Sequence, residues 1–180
     1  GVGMVHQHFQ LADNLSVLEN VVLGSEPKRG VRLDYDLARA RILEISDRYG
    51  LDVRPDDLVE DLGVGERQRV EILKVLYRGA RTLILDEPTA VLVPQEVDEL
   101  FDALRELKSE GLAILFISHK LDEVLKVADE ITVIRRGTTV ASVLQADVTA
   151  RNLAALMVGS ELPTPVETCT TSPLAGEASS

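Results

Sequence analysis

The amino-acid sequence predicts an α/β fold built on a parallel sheet, and three observations support this. A glycine-rich stretch, Asp61–Arg69, opens a segment in which apolar residues recur at the spacing of a helix over residues 66–79. Two short apolar runs, Leu83–Leu85 and Ala113–Ile117, are typical of strands buried within a parallel sheet, since such strands are covered on both faces. Helix and strand signals therefore alternate along the chain.

The composition is that of one globular domain. The chain has 180 residues, of which 45% are hydrophobic and 27% charged. The formal net charge of −11 argues against a nucleic-acid-binding surface, so we expect no nucleic-acid partner. Cys169 is the one cysteine of the sequence, which excludes a disulfide framework and suits a reducing compartment. No apolar run approaches the ~20 residues that span a bilayer, so we expect any membrane role to come through a partner.

The first half of the chain is predicted to contain one strand and two helices ahead of the glycine-rich stretch. Residues 1–6 suit the end of a strand, and a chain that enters in mid-strand is expected to be a fragment. The segment 14–23 predicts a short helix, with Ser16 as its cap and Glu19 completing a capping box. A second helix is predicted over Asp34–Tyr49, where a glycine follows.

The second half is predicted to open with a helix at Pro94, preceded by Val93 at the cap position. Valine has no oxygen that could accept an orphan N–H, and this should cost about 1 kcal/mol. The remaining predicted elements are a short helix from Leu121, a hairpin of strands 131–135 and 138–144 turning at Arg136-Gly137, and a helix over Asn152–Val158.

Two acids follow the first buried strand. Asp86 and Glu87 come at its carboxyl end, where open α/β sheets place their ligands. Adjacent strand residues point to opposite faces, so one acid can bind a metal while the other takes a proton from water. The turn at Gly65 precedes a helix whose first N–H groups form an anion site. For an isolated Asp-Glu pair, a solvated strand end is the simpler interpretation.

Four short motifs resemble those of ABC-type ATP-binding domains, and they occur in the family's order. Leu62–Glu66 resembles the signature loop, Leu83–Glu87 the Walker B strand with its catalytic glutamate, Ile117–Lys120 the switch-histidine loop, and Val5–Phe9 the Q-loop. The resemblance covers roughly residues 1–160. It is greatest to the first half of tandem ABC proteins that power import of nucleosides and simple sugars.

The resemblance implies a P-loop NTPase-like fold and a role for each motif residue, with ATP and Mg²⁺ as cofactors. Asp86 would bind Mg²⁺, and Gln7 would complete the site around metal and water. Glu87 would orient and deprotonate the attacking water, and His119 would contact the γ-phosphate. The residues implied to bind the nucleotide of a partner half are Leu62, Gly63, Val64, Gly65 and Glu66.

The resemblance also implies a domain organisation. Residues 1–160 would form a partial ATP-binding domain, with a helical subdomain over about 10–77 and a part of the catalytic core over about 78–160, closed by the hairpin. Residues 161–180, rich in Pro, Thr, Ser and Gly, are predicted to be a linker or disordered tail. The apolar segment 11–23 is either the surface that docks on a membrane domain or ordinary core.

The sequence departs from the family pattern in two places. No match to G-x-x-x-x-G-K-[ST], the Walker A loop, occurs in the 180 residues, and we expect this loop and its strand to lie upstream of Gly1. By analogy the missing strand would lie between residues 113–117 and 131–135. Gly63 also replaces the usual signature serine, which removes a charge-assisted hydrogen bond worth roughly 1.5–3 kcal/mol.

The favoured function is that of an ATP-hydrolysing subunit, here a fragment, that powers nucleoside or sugar import. Its implied partners are membrane-spanning permease subunits, a second ATP-binding half and, indirectly, an extracellular solute-binding protein. The implied location is the cytoplasmic face of the plasma (inner) membrane. The alternative is a degenerate half that hydrolyses nothing, completes a partner's ATP site through residues 63–66 and docks a membrane domain. Soluble ABC proteins of DNA repair or translation fit less well, because they carry coiled-coil insertions or basic tails.

Overall fold

The structure is a computed structural model, and it describes residues 1–25, 28–29 and 32–159. The predicted linker at 161–180, with Cys169, lies outside the described residues. Within the described ranges, no helix combines the length and the apolar character that crossing a bilayer requires.

The described residues form three sheets and six α-helices, in the predicted alternation. The strands are β1 (Val2–Val5), β2 (Lys28–Arg29), β3 (Arg32–Leu33), β4 (Thr82–Asp86), β5 (Ala113–Ile117), β6 (Glu130–Arg135) and β7 (Thr138–Leu144). The helices are α1 (Val17–Val22), α2 (Tyr35–Arg48), α3 (Val64–Tyr77), α4 (Pro94–Ser109), α5 (Leu121–Val127) and α6 (Ala150–Val158).

The central sheet has the order β1-β4-β5, and both pairings are parallel. Strand β4 is therefore the middle strand, and Leu83 and Leu85 are completely buried. The register pairs Val5 with Leu85 and Asp86 with Ile117, so all three strands end at the same edge. The predicted parallel sheet is confirmed.

Strand β5 was predicted to be buried, and this is wrong for one of its faces. Leu115 is 54% exposed and Ile117 is 43% exposed, because β5 is an edge strand among the described residues. The described chain places no strand between β5 and β6, and β6 pairs only with β7 within that part of the structure.

One cluster of buried side chains joins helices α1, α2, α3 and α4 to the central sheet. Helix α3 packs closely on β1: a Cβ placed on Gly3 would lie 2.0 Å from Cγ1 of Val75. A smaller cluster under the β6–β7 hairpin consists of Ile131, Val133 and Leu153. The hairpin turns at Arg136 and Gly137 with φ of 50° and 77°, the left-handed values that a tight two-residue turn requires.

The predicted capping box of α1 is confirmed. The Glu19 N–H donates to Oγ of Ser16 at 3.2 Å, and the Ser16 N–H donates to Oε2 of Glu19 at 2.8 Å. The hydrogen bonds from the backbone and side chain of Ser16 lower the pKa of Glu19. The carboxylate therefore stabilises the fold above its ordinary pKa, and this contribution is lost as the pH falls through the lowered value.

The start of α4 lacks one half of such a box. Val93 is the N-cap and offers no side-chain acceptor, while its own N–H donates to Oε2 of Glu96 at 3.0 Å. The N–H of Glu96 at the third helical position thus has no cap oxygen from residue 93. This confirms the predicted defect.

We predict that Val93→Thr raises the free energy of unfolding by about 1 kcal/mol, because a hydroxyl at the cap supplies the missing acceptor. Urea denaturation followed by circular dichroism measures the change. Val91→Thr is the matched control, since both valines are 57% exposed and Val91 lies outside the cap. Equal changes in the two variants would contradict this account of the cap.

Candidate functional site

The acids lie where strand β4 leaves the sheet. Asp86 is the last residue of β4, and Glu87 follows with a φ of 47°. A left-handed backbone at a residue with a side chain costs about 1–3 kcal/mol and persists only where the surroundings impose it. Two hydrogen bonds impose it here: the Glu87 N–H donates to the Ile117 carbonyl at 2.9 Å, and the Ala90 N–H donates to the Glu87 carbonyl at 3.1 Å.

Glu87 and His119 are in direct contact. Nδ1 of His119 lies 2.8 Å from Oε1 of Glu87, although 32 residues separate them in sequence. The Glu87 side chain is 18% exposed and the His119 side chain 71% exposed. The second carboxylate oxygen, Oε2 of Glu87, is buried and has no hydrogen-bond partner in the described chain. This oxygen therefore keeps an unused capacity to accept a hydrogen bond, and a buried polar atom without a partner is unusual enough to mark a candidate functional group.

Asp86 and Gln7 complete this edge of the sheet. The side chain of Asp86 makes no hydrogen bond or ion pair with the described residues, and Gln7 follows β1 two residues after Val5. Three or more His, Cys, Asp or Glu side chains do not converge anywhere in the described ranges. One carboxylate and one amide fit Mg²⁺, which takes its other ligands from water and from nucleotide phosphates.

The segment that follows Gln7 is fixed by helix α3. Oε1 of Glu71 accepts a hydrogen bond from the Gln10 N–H at 2.7 Å, and Nζ of Lys74 donates to the Gln10 carbonyl at 2.9 Å. Glu71 is 5% exposed. Sequence analysis missed both residues. The available signal was a glutamate within the apolar stripe of α3, between Val70 and Ile72.

Helix α3 begins two residues earlier than predicted, within the stretch that resembles the signature loop. Helix α3 starts at Val64 instead of Glu66, with Gly63 as its N-cap, because Oε2 of Glu66 accepts the Gly63 N–H at 2.7 Å. Glu66 therefore has a structural role that the sequence did not reveal. Arg67 fixes the position of the chain before α3. Its Nε donates to the Leu62 carbonyl at 3.1 Å, and its guanidinium pairs with Asp13 at 2.8 Å.

The amide of Gly65 is already occupied. Its N–H donates to Oε1 of Glu96 at 3.2 Å, while the other oxygen of Glu96 accepts from Val93. A Cβ on Gly65 would lie 2.8 Å from the same Oε1, so a larger residue here would require the Glu96 side chain to move. In the described chain, residues 62–66 make no hydrogen bond or ion pair with Asp86, Glu87 or His119. The predicted site residues thus fall into two separate groups.

A cavity of about 720 Å³ opens elsewhere, at the amino ends of β4 and β5. Its lining includes α2 side chains and the turns 79–81 and 111–112. Arg48 and Glu110 line it and already form an ion pair with each other. The orphaned carboxylate oxygen at the opposite edge is the stronger indication of chemistry, so we assign the candidate site to Glu87 and its neighbours.

Sequence comparison finds close relatives among import ATPases. The chain is 56% identical to the nucleoside import ATP-binding protein NupA of Lactococcus lactis, over 88% of this chain and 31% of that protein. It is 47% identical to the glucose import ATP-binding protein TsgD13 of Haloferax volcanii, over 90% of this chain and 34% of that protein. The chain thus spans about a third of the length of the curated relatives it matches.

Structural comparison and a family model also find similarity to ABC transporter proteins. The fold matches a solved structure of cbiO1 from Clostridium perfringens, part of the ABC transporter complex cbiONQ, with a TM-score of 0.70 and 30% identity. That match covers 85% of this chain and 61% of cbiO1. A family model described as ABC transporter matches residues 1–90, half of the chain. With the predicted motif order and the parallel sheet, these matches show that the chain belongs to the ABC transporter family.

Proposed function

We propose that this chain is part of an ATP-hydrolysing subunit that powers the import of nucleosides or simple sugars. The observation that carries the proposal is the contact between Glu87 and His119, which leaves Oε2 of Glu87 buried and unpaired. The printed functions of the relatives, nucleoside and glucose import, support the class of solute.

Glu87 is the proposed general base. Its Oε2 accepts a hydrogen bond from the attacking water and then its proton, as the water oxygen bonds to the γ-phosphorus. The bond from the γ-phosphorus to the β–γ bridging oxygen breaks, and ADP leaves. Asp86 and Gln7 would bind Mg²⁺, which neutralises charge on the phosphates when it is present.

His119 is the proposed γ-phosphate ligand. Its Nδ1 faces Glu87 at 2.8 Å, so Nε2 is the nitrogen left for the phosphate. A neutral imidazole carries one N–H, whereas an imidazolium donates from both nitrogens. If Nδ1 donates to Glu87 while Nε2 donates to the phosphate, His119 is therefore in the imidazolium form. That form also adds a positive charge beside the phosphate oxygens.

Gly65 is the proposed contact with a second nucleotide, held by the partner ATP-binding half. Gly63 lacks the hydroxyl of the usual serine, so the backbone amides and the helix end supply the attraction. Because Glu96 accepts the Gly65 N–H, the phosphate has to replace this carboxylate. When the two halves pair, the phosphate thus takes the place of the Glu96 carboxylate at the Gly65 N–H.

The proposed partners are membrane-spanning permease subunits, the second ATP-binding half and, indirectly, an extracellular solute-binding protein. The proposed location is the cytoplasmic face of the plasma membrane. A net charge of −11 disfavours a nucleic-acid partner. Solute choice would belong to the membrane pore and the extracellular receptor.

A second candidate function is a half that hydrolyses nothing and completes the site of its partner, and Gly63 argues against it. The missing hydroxyl weakens a contact made to the partner's nucleotide, and it leaves Glu87 and His119 intact. Whether ATP hydrolysis depends on Glu87 therefore distinguishes the hydrolysing subunit from the non-hydrolysing half.

The 180-residue chain alone should bind ATP very weakly and should not turn it over, because it carries no Walker A lysine. Release of radiolabelled phosphate by the purified chain measures this, with its Glu87→Gln variant as the baseline. Turnover above that baseline would overturn the prediction.

In the full natural protein with its permease, Glu87→Gln should lower kcat by about 10²–10⁴-fold, because it removes the proton acceptor. ATP binding, measured by equilibrium titration, should persist. Glu106→Gln on the exposed face of α4 is the matched control and should keep the wild-type kcat. Unchanged hydrolysis in Glu87→Gln would refute the proposed base and favour the non-hydrolysing alternative.

Glu96→Gln should let the ATP-bound halves associate at about 5-fold lower ATP concentration, equivalent to ~1 kcal/mol. Glutamine has one acceptor oxygen, so it can accept from Gly65 or from Val93 but not from both as Glu96 does, and it removes the negative charge from the position that the phosphate takes. Small-angle X-ray scattering of the full protein in the Glu87→Gln background measures the association, because the molecule becomes more compact when the two halves come together. Glu99→Gln, which removes a charge further along α4 beside Arg69, is the control. An equal response in both variants would refute the exchange.

A further inference from the structure

Thr89 is held by two charged side chains that sequence analysis did not single out. Its hydroxyl donates to Oε2 of Glu123 at 2.5 Å, and Nζ of Lys120 donates to its carbonyl at 3.0 Å. Nζ of Lys120 also lies 3.1 Å from Oε1 of Glu123, which closes the set. Thr89 itself is completely buried. We call Thr89, Lys120 and Glu123 the Thr89 cluster.

The Thr89 cluster joins the two segments that carry the reacting groups. Thr89 comes two residues after Glu87, in the turn where the Ala90 N–H donates to the Glu87 carbonyl. Lys120 directly follows His119, and Glu123 lies in the first turn of α5. The cluster therefore bridges the turn after β4 and the loop after β5 at the edge of the sheet where the candidate site lies.

The reacting groups need such a bridge. His119 is 71% exposed, and its contact with Glu87 is the one hydrogen bond of its ring with the described residues. Its position therefore depends on the backbone on either side, where the Lys120 N–H donates to Oγ of Ser118 at 3.1 Å. Glu87 has a left-handed backbone, which a mobile turn would not maintain.

The charges of the cluster are matched to one another. The Glu123 side chain is 15% exposed and the Lys120 side chain 38% exposed. Removing one partner leaves the other partly desolvated and unpaired, while Thr89 loses a hydrogen bond. A partly buried ion pair of this kind adds little to the free energy of unfolding, and its main effect is to favour one arrangement of the groups around it.

We propose that Lys120 and Glu123 are positioning residues for ATP hydrolysis, which fix Thr89 so that Glu87 and His119 stay in contact. The proposal rests on the proposed function, because it assigns a role around the same pair. Neither residue touches the reacting atoms. Their effect is on how often the pair is correctly placed, so they act on kcat and leave nucleotide affinity unchanged.

The test uses the full natural protein with its permease and compares Lys120→Met, Lys120→Arg and Glu123→Gln. We expect Lys120→Met to lower kcat at least ~10-fold with the KM for ATP unchanged, since small misplacements of reacting groups carry losses of that order. Lys120→Arg keeps a cationic donor and should recover part of the loss. Glu123→Gln keeps an oxygen for Thr89 and should give an intermediate kcat.

Lys126→Met is the matched control, because Lys126 lies in α5, the helix that Lys120 precedes, is exposed and approaches Asp98 at 3.8 Å. It should keep the wild-type kcat. The NMR shifts of the His119 ring provide a second readout and should move in Lys120→Met but not in Lys126→Met. If Lys120→Met does not fold, Lys120→Arg and Glu123→Gln still carry the kcat comparison.

Three outcomes would overturn the positioning role: a wild-type kcat in Lys120→Met, an equal loss in Lys126→Met, or a lower melting temperature with unchanged kcat per folded molecule. The Glu87→Gln variant shows whether the positioning role or the proposed function itself is wrong. Hydrolysis that survives Glu87→Gln refutes the base itself. Hydrolysis that is lost in Glu87→Gln but normal in Lys120→Met refutes the positioning role alone.

Discussion

The parallel pairing of β4 with β5 is the constraint on which the candidate site depends. Its register pairs Asp86 with Ile117, and the next residue along, Glu87, donates its N–H to the Ile117 carbonyl. Two residues after Ile117, just beyond the end of β5, the His119 ring contacts the Glu87 carboxylate. A slip of one residue would send every side chain of a strand to the opposite face and separate the pair. The buried side chains Leu83 and Leu85 prevent that slip, so packing in the core determines the geometry at the edge.

Helix α3 relates the two groups of site residues to each other. Its first turn carries the signature loop, and its middle fixes the segment after Gln7 through Glu71 and Lys74. Its last turns pack on β1 so closely that Gly3 has no room for a Cβ beside Val75. Three attachments to one helix therefore fix the segment after Gln7, the loop 62–66 and β1 relative to one another, because a well-packed core resists local adjustment.

The sequence predicted those features whose causes are local. Ser16 with Glu19, Pro94 after Val93, and Arg136 with Gly137 each determine a backbone conformation within a few residues, and all three appear as predicted. The contacts that sequence analysis missed join distant residues: Gln10 with Glu71 across 61 positions, and Gly65 with Glu96 across 31. The apolar neighbours of Glu71 indicate that this acid is buried, but a single sequence does not indicate which distant residue it pairs with, because the fold selects the partner. The exposed face of β5 was misjudged for the same reason, since an apolar run does not show how many neighbours its strand has.

In the proposed function the start of α3 binds the phosphate of a partner's nucleotide, and in the structure two carboxylates accept from the same helix end. The first N–H groups of a helix have no partner within the helix, and Glu66 and Glu96 satisfy two of them at Gly63 and Gly65. Under the proposed function, these carboxylates order the loop in advance, so nucleotide binding does not have to meet the entropic cost of ordering it. The cost that remains is the removal of Glu96, whose charge interacts favourably with the same helix end. A phosphate with more negative charge and more acceptor oxygens than a carboxylate can offset that cost, whereas a chloride or a carboxylate ligand gains nothing by the exchange. Selectivity for a highly charged ligand follows from the competition between the two anions.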